Sequence, residues 1–232
     1  GRVNNVFMNK ISDLTNNHTF GSVVGISVAN EISVSSGAGN NIFKNLIGNL
    51  SAPFINSTSD AITGISLGNF IASAFSQVYY NTVYIPAQVS SGANFSSAAI
   101  YHTAYTTSTT STLYLRNNIL VNLATPKGTG KSVAFRRSSG LANTLSNYNS
   151  TSNNNLFYAP SVHGRRSYFY CEGDGLGTEY NRFNIDHNTT AINDPNINIS
   201  PSFSGCTSKY KTLMAGSDSN SFYQNVTLVE GT

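Results

Sequence analysis

Charged side chains are scarce in this chain and make up 10% of its 232 residues, against about 25% in ordinary soluble domains. Asn, Ser, Thr and Gly take their place and keep the surface hydrated without charge. Lysine and arginine form no run longer than the pairs Arg136-Arg137 and Arg165-Arg166, and the formal net charge is +3. This composition lacks the basic patch that nucleic-acid binding requires, so we expect no nucleic-acid partner.

Long apolar runs are also missing. None approaches the ~18–20 residues that a transmembrane helix needs, so we expect no membrane span. The chain opens at Gly1 with a repeat already under way at Asn4, and we expect it to be a segment of a longer protein.

A short motif recurs along the chain, in which an Asn-containing pair precedes an apolar run. The pairs are residues 4–5, 40–41, 80–81, 117–118 and 154–155, which lie 36, 40, 37 and 37 residues apart. A period in this range indicates a repeat architecture.

Each repeat contains three short runs rich in β-branched and aromatic residues, such as 42–43, 62–67 and 76–79, separated by turn residues. No helical period of 3.6 is sustained. The pattern predicts an all-β fold, a right-handed parallel β-helix of about five to six coils of ~37 residues with three short strands per coil. Residues 1–160 would form the regular coils, and residues 161–232 the degenerate final coils and an end-capping segment of the same domain.

The recurring asparagines predict a ladder of side-chain amides along one corner of the helix. If Lys44 faces solvent, period-two alternation turns Phe43, Asn41 and Asn45 inward. The same phase predicts an interior stack of Phe7, Val83, Leu120 and Phe157. Buried amides in register would bond to one another and to turn backbone. The predicted ladder consists of Asn5, Asn41, Asn81, Asn118 and Asn155.

The only two cysteines, Cys171 and Cys206, lie 35 residues apart. One period in a stacked repeat places strands ~4.8 Å apart, which suits the ~4.4–6.8 Å Cα separation of a disulfide. We therefore predict a Cys171–Cys206 disulfide and an oxidising compartment.

Five segments of the chain together form a recognisable pattern. They are 78–84 (VYYNTVY), 91–95 (SGANF), 115–119 (LRNNI), 125–130 (TPKGTG) and 152–158 (SNNNLFY). These resemble the right-handed parallel β-helix repeats of very large secreted or surface proteins of Bacteroidetes-type bacteria, the cargo of type IX secretion. The resemblance implies an extracellular or cell-surface location and, for residues 217–221, a closing segment. It implies no particular chemistry.

Parallel β-helices also carry polysaccharide lyases and glycoside hydrolases, so a carbohydrate-active site is an alternative. Inverting hydrolysis needs two carboxylates ~6.5–9.5 Å apart, yet no acidic residue lies on the regular strands of the third and fourth repeats. A lyase needs a cation and a base, and the candidates are His102, Lys131, Arg136 and Arg137. The four histidines are isolated, so we expect no metal site and no cofactor.

The sequence best fits a non-catalytic structural or adhesive segment of an extracellular bacterial surface protein. Its partner would be a glycan or a neighbouring surface protein, because flat faces of Tyr, Asn, Ser and Thr suit such contacts. A third hypothesis is a stalk that self-associates through its coil ends. The candidate binding residues are Tyr84, Tyr101, His102, Tyr114, Lys131, Arg136 and Arg137, and Tyr79, Tyr80 and Tyr105 are further candidates for the contact through a tyrosine-rich face.

Overall fold

The computed structural model describes residues 3–29, 37–68, 74–103, 111–138, 147–160, 167–172, 218, 220 and 221. These residues form fourteen strands and no helix. The strands are β1 (Val3–Phe7), β2 (Lys10–Ile11), β3 (Val23–Ala29), β4 (Gly39–Phe43), β5 (Leu46–Gly48), β6 (Asp60–Gly68), β7 (Phe75–Tyr79), β8 (Thr82–Ile85), β9 (Ser96–His102), β10 (Thr112–Arg116), β11 (Ile119–Asn122), β12 (Ser132–Arg137), β13 (Leu156–Tyr158) and β14 (Ser167–Glu172).

The strands assemble into three parallel sheets, and each of the first four coils contributes one strand to each sheet. Sheet A has the order β1-β4-β7-β10, sheet B the order β13-β11-β8-β5-β2, and sheet C the order β14-β12-β9-β6-β3. The all-β parallel β-helix predicted from the repeat is therefore confirmed.

The strand register gives the length of a coil. In sheet A, Val3 pairs with Gly39, Gly39 with Phe75 and Phe75 with Thr112, in steps of 36, 36 and 37 residues. The described residues contain four complete coils, followed by β13 and β14 of a fifth. This is close to the predicted number. The predicted division at residue 160 remains a prediction, because few residues beyond it are described.

The core lies between the sheets and is built from apolar columns in register. Ile47, Val83, Leu120 and Phe157 form one such column on sheet B, and each is at most 1% exposed. In such a column each apolar residue lies against its counterparts in the neighbouring coils. Val83, Leu120 and Phe157 are the predicted members of this column, and Ile47 precedes them.

Phe7 does not belong to that interior column, contrary to the prediction. Phe7 is 43% exposed, and its register partners are Phe43 and Tyr79 on the outer side of sheet A. The reason is Lys44, which adopts a left-handed conformation with φ of 57°. Alternation holds only along extended backbone, so Phe43 and Asn45, on either side of Lys44, do not share a face.

The corner between sheets A and B repeats in every coil. One residue with positive φ ends the sheet A strand, and an asparagine follows it. The left-handed residues are Met8, Lys44, Tyr80, Asn117 and Asn154, and the asparagines after them are Asn9, Asn45, Asn81, Asn118 and Asn155. This two-residue corner redirects the chain from one sheet to the next.

The asparagines after the turn form the ladder. The backbone N–H and Nδ2 of Asn45 both donate to Asn81 Oδ1, at 3.1 and 2.9 Å. Asn81 donates in the same way to Asn118, and Asn118 to Asn155. Asn81, Asn118 and Asn155 are thus ladder members as predicted.

Asn5 and Asn41 are not members of this ladder, which corrects the prediction for the first two coils. The Nδ2 of Asn41 donates to Asn5 Oδ1 at 2.9 Å, in a pair exposed to solvent. Their places in the ladder are taken by Asn9 and Asn45, four residues further along the chain.

The far end of the ladder is closed by residues that follow in sequence only much later. Asn155 donates from its backbone N–H to Ser221 Oγ and from Nδ2 to Asp218 Oδ1, both at 2.9 Å. The hydroxyl of Tyr148 donates to the other oxygen of Asp218 at 2.6 Å. Asp218 and Ser221 therefore supply the acceptors that the next asparagine would have supplied.

The predicted disulfide stays a prediction. Cys171 lies on β14 in register with Arg136, whereas Cys206 lies outside the described residues.

Candidate binding face

The outer side of sheet A carries two parallel columns of side chains, one residue per coil. The amide column consists of Asn5, Asn41, Gln77 and Tyr114, and the aromatic column of Phe7, Phe43, Tyr79 and Arg116. Both columns use alternate strand positions, whose side chains point away from the core. The positions between them, such as Ile42, Val78 and Leu115, are buried. These eight outward residues are called the sheet A face below.

The aromatic column is held together by stacking along the helix axis. The rings of Phe7 and Phe43 lie 5.0 Å apart at an interplanar angle of 3°. The Arg116 guanidinium lies 5.9 Å from the centroid of the Tyr79 ring, which is within reach of a cation–π attraction. The stacked rings of Phe7 and Phe43 therefore present mainly their edges to the side.

Arg116 is fixed at the end of this column by a second set of contacts. Its Nε donates to the carbonyl oxygen of Thr151 at 2.9 Å, and its Nη2 donates to the Thr151 hydroxyl. Burial raises the pKa of Tyr79, while Arg116 lowers that pKa and Tyr114 raises it. Tyr79 therefore stays a neutral hydrogen-bonding phenol at physiological pH.

Two of the predicted contact residues, Tyr79 and Tyr114, lie on the sheet A face, whereas Tyr105 lies outside the described residues. Tyr84 lies on β8 of sheet B, in register with Gly48 and Val121. Tyr101 lies on β9 of sheet C, in register with Arg136. The predicted tyrosines are thus spread over all three sheets.

The predicted cations lie in or against sheet C and are buried. Lys131 is 2% exposed, Arg136 3% and Arg137 1%. Arg136 Nη1 forms an ion pair with Asp60 Oδ1, and both side chains are nearly inaccessible. A buried ion needs such a partner to offset its lost hydration. Arg136 and Asp60 therefore link the second and fourth coils.

His102 is fully buried beside Arg137, its register neighbour in the next coil. Burial lowers the pKa of His102 well below its ordinary value, the Arg137 charge lowers it further, and the Ser111 backbone acts in the opposite direction. Arg137 Nη2 donates to Asn147 Oδ1, and Asn147 Nδ2 donates to the carbonyl oxygens of Thr103 and Ser111, each at 3.1 Å. This network ties the end of sheet C to the start of sheet A.

The acidic side chains that can be described do not form a catalytic pair. Asp60 is engaged with Arg136, Asp218 closes the asparagine ladder, and Asp13 accepts hydrogen bonds from Asn49 and Ser12. Among the residues that the structure describes, no group of three or more His, Cys, Asp or Glu side chains is placed to hold a metal ion. A depression of about 550 Å³ is lined by residues 13–18 and 22–24 of the first coil.

Most of the sheet A face was missed by sequence reasoning. Phe7, Phe43, Gln77 and Arg116 were not candidates, because the strand that contains Phe43 was aligned with residues 82–83 instead of 78–79. A search for constant spacing of 36 or 37 residues, applied to single residues instead of pairs, would have brought Phe7, Phe43 and Tyr79 into one column.

Comparison with known proteins gives no match: no family model, no curated protein and no solved structure is significantly similar to this chain. Over the described part of the chain, no helix is both long and apolar enough to cross a membrane. The class of protein shown by the fold is therefore a parallel β-solenoid, and nothing narrower.

Proposed function

We propose that the chain is a non-catalytic structural and adhesive segment of an extracellular bacterial surface protein, and that its sheet A face contacts polysaccharide. The observation that carries this proposal is the unbroken sheet A face itself. It presents a side-chain amide in each of the first three coils and phenol and guanidinium groups in the third and fourth, all at one spacing, so a hydroxyl-rich polymer of similar periodicity would meet a hydrogen-bonding group in every coil.

Rigidity supports this proposal. Each polar side chain on the sheet A face stands on a strand paired on both sides, apart from those of the end coils, and Arg116 is fixed by Thr151. Little side-chain entropy would be lost on binding, which favours weak contacts repeated over several coils. Because the stacked rings show their edges, the polar groups would carry most of the recognition.

The burial of the candidate lyase residues supports the non-catalytic part of the proposal. A base and a cation have to touch the substrate, whereas His102, Lys131, Arg136 and Arg137 are at most 3% exposed. The bacterial origin, the surface location and export by type IX secretion rest on the resemblance alone.

A glycan array tests the contact. The double variant Gln77→Ala, Tyr114→Ala should lose at least about tenfold in affinity for any glycan that the unmodified chain binds, which corresponds to about 1.4 kcal/mol. Thr82→Ala, on the outer side of sheet B, is the matched control and should bind normally. Undiminished binding by the double variant, or equal loss in the control, would contradict the proposed contact.

A further inference from the structure

The first coil leaves the upstream edge of all three sheets unpaired. β1, β2 and β3 are each the terminal strand of their sheet, so the backbone groups along three edges lack a neighbour within the described structure. An exposed edge of this kind is a template for another strand.

Every side-chain ladder also stops at the first coil with one group unused. Asn9 donates to Asn45, but no described residue donates to Asn9 Oδ1, the atom that serves as acceptor in each later coil. Asn4 donates to Asn40 at 3.2 Å, and its own Oδ1 has no described donor. Asn5 accepts from Asn41, and no described residue accepts from the Nδ2 of Asn5.

The apolar side chains of the first coil are likewise left uncovered on one side by the described residues. One face of the Phe7 ring stacks on Phe43, and the opposite face has no ring against it among the described residues. Among the described residues, five of the nine exposed large apolar side chains belong to this coil, namely Val3 at 43%, Phe7 at 43%, Met8 at 68%, Leu14 at 40% and Phe20 at 81%. Apolar exposure concentrated in one place marks an interaction surface.

The opposite end of the ladder is different, because Asp218 and Ser221 occupy it. A second copy of this chain approaching head to tail would present Asn155, whose backbone N–H and Nδ2 donors are already engaged by Ser221 and Asp218 and are not available to Asn9 Oδ1. A second copy approaching edge to edge would bring its Asn9 Oδ1 against the Asn9 Oδ1 of the first, and two acceptors do not bond.

We propose that the first-coil edge docks a further parallel β-coil of the same repeat, with an asparagine at its A-to-B corner. We expect the docked coil to pack on the first coil in the way that the first coil packs on the second. The docked coil would donate from its corner asparagine to Asn9 Oδ1, add a strand to β1, β2 and β3, and cover Phe7. This proposal does not depend on the proposed carbohydrate contact.

A tandem chain tests the proposal. Residues 1–36 are duplicated ahead of Gly1, which places a copy of Asn9 at the 36-residue spacing that joins the first two coils. Amides of β1 should then exchange with deuterium at least about tenfold more slowly than in the unmodified chain, and the thermal midpoint should rise.

Two controls separate this contact from a general effect of added length. One carries Ala in place of the added corner asparagine, and the other carries the same 36 residues in scrambled order. Protection of β1 that is largest with the intact insert supports the proposal. Equal exchange in all three chains, or protection by the scrambled insert, would overturn it. Dimerisation of the unmodified chain that is abolished by Phe7→Lys would also overturn it, since the edge would then take a second copy.

Discussion

At the scale of single residues, each ladder asparagine supplies both the hydrogen-bond acceptor and the hydrogen-bond donors that the corner requires. Asn118 Oδ1 accepts from the backbone and side chain of Asn81, while its Nδ2 donates to Val78 O at 2.8 Å, Arg116 O at 2.9 Å and Asn155 Oδ1 at 3.0 Å. A tight corner leaves backbone groups that no strand can pair, and one amide satisfies them. No other uncharged side chain except Gln has both an acceptor and two donors.

Replacement of Asn118 by Ala should therefore be costly. It leaves the buried Asn81 N–H without the Asn118 Oδ1 acceptor, at about 1–3 kcal/mol, and removes the Nδ2 hydrogen bonds to Val78 O, Arg116 O and Asn155 Oδ1, at about 1 kcal/mol each. We expect the free energy of unfolding to fall by about 3 kcal/mol or more in urea denaturation. Asn41→Ala, which removes one exposed amide pair, is the control and should change stability by less than about 0.5 kcal/mol. Equal losses in the two variants would show that the ladder adds nothing.

The buried His102 predicts a loss of stability in mild acid. Its folded-state pKa lies well below the ordinary 6.5, so the unfolded chain takes up the proton first as the pH falls. The stabilisation is complete above pH 6.5 and is lost below it, with a limiting slope of about 1.4 kcal/mol per pH unit. His102→Leu, which copies the register partner Leu67, should flatten this part of the curve of unfolding free energy against pH. Identical slopes for the two proteins would contradict it.

Asp218 predicts the opposite dependence. Burial raises the pKa of Asp218 above 3.8 in the folded state, although Ser221, Tyr148 and Asn155 lower it in part. The folded chain holds this proton longer than the unfolded chain, so the stabilisation is complete below pH 3.8 and falls as the pH rises through the folded-state pKa. Asp218→Asn keeps an acceptor for Asn155 and removes the ionisation. At neutral pH this variant should be at least as stable as the unmodified chain in urea denaturation. A variant clearly less stable at neutral pH would show that the carboxylate itself is required.

At the scale of strands, sheet C approaches sheet B closely at two glycines, Gly25 and Gly64. A Cβ atom added to Gly64 of β6 would lie 2.3 Å from Val83 Cγ1 and 2.5 Å from the Ala99 carbonyl oxygen. Gly25 occupies the corresponding place in β3, where a Cβ would lie 2.7 Å from the Gly64 carbonyl oxygen. The close approach of sheets B and C in the first two coils therefore requires glycine.

Gly64→Ala should destabilise the chain by about 1–3 kcal/mol, because the backbone of β9 has to move. Gly68→Ala, in the same strand, is a matched control. Its nearest neighbour would be Val28 O at 3.9 Å, so it should be neutral or slightly stabilising. Thermal unfolding of both variants distinguishes local crowding from a general intolerance of β6 to substitution.

The strand scale also explains how far the sequence predicts this fold. The period and the three runs per coil predict parallel strands, because such runs recur at 62–67 and 98–101 with little ambiguity. The register of the first two coils was wrong, because Asn occurs both on the outer side of sheet A, at Asn41, and at the corner, at Asn45. Spacing alone does not distinguish the two. The left-handed residue between them also breaks the alternation from which the phase was argued.

Burial of the cations was not predictable from the pattern either. Arg136 looks like a solvated strand end, and its partner Asp60 lies 76 residues earlier in the chain. The two residues lie two coils apart, so the spacing within one repeat does not indicate that they form a pair. The sequence therefore predicts which residues repeat better than it predicts which residues meet.

At the scale of the whole molecule, each described strand pairs only with strands of the neighbouring coils, and the Arg136–Asp60 ion pair is a side-chain contact that reaches one coil further. Stability in such a fold is a sum over neighbouring pairs. An interior coil has two neighbours, whereas the first coil has one.

Amide exchange should therefore be graded along the axis. We expect the amides of β1, β2 and β3 to exchange faster than those of β8 and β11, as followed by deuterium uptake of peptides from one digest. The interior strands serve as the internal control. Uniform protection from the first coil to the fourth would contradict the nearest-neighbour description.

The corner between sheets A and B has one more consequence. Its left-handed position holds Met8, Lys44, Tyr80, Asn117 and Asn154 in successive coils, so the path of the backbone is constant where the side chain is not. A single amide every 36 or 37 residues is enough to repeat the bend. Two chains that share little beyond that amide would trace the same spiral, and evolution is free to rewrite nearly everything between one corner and the next.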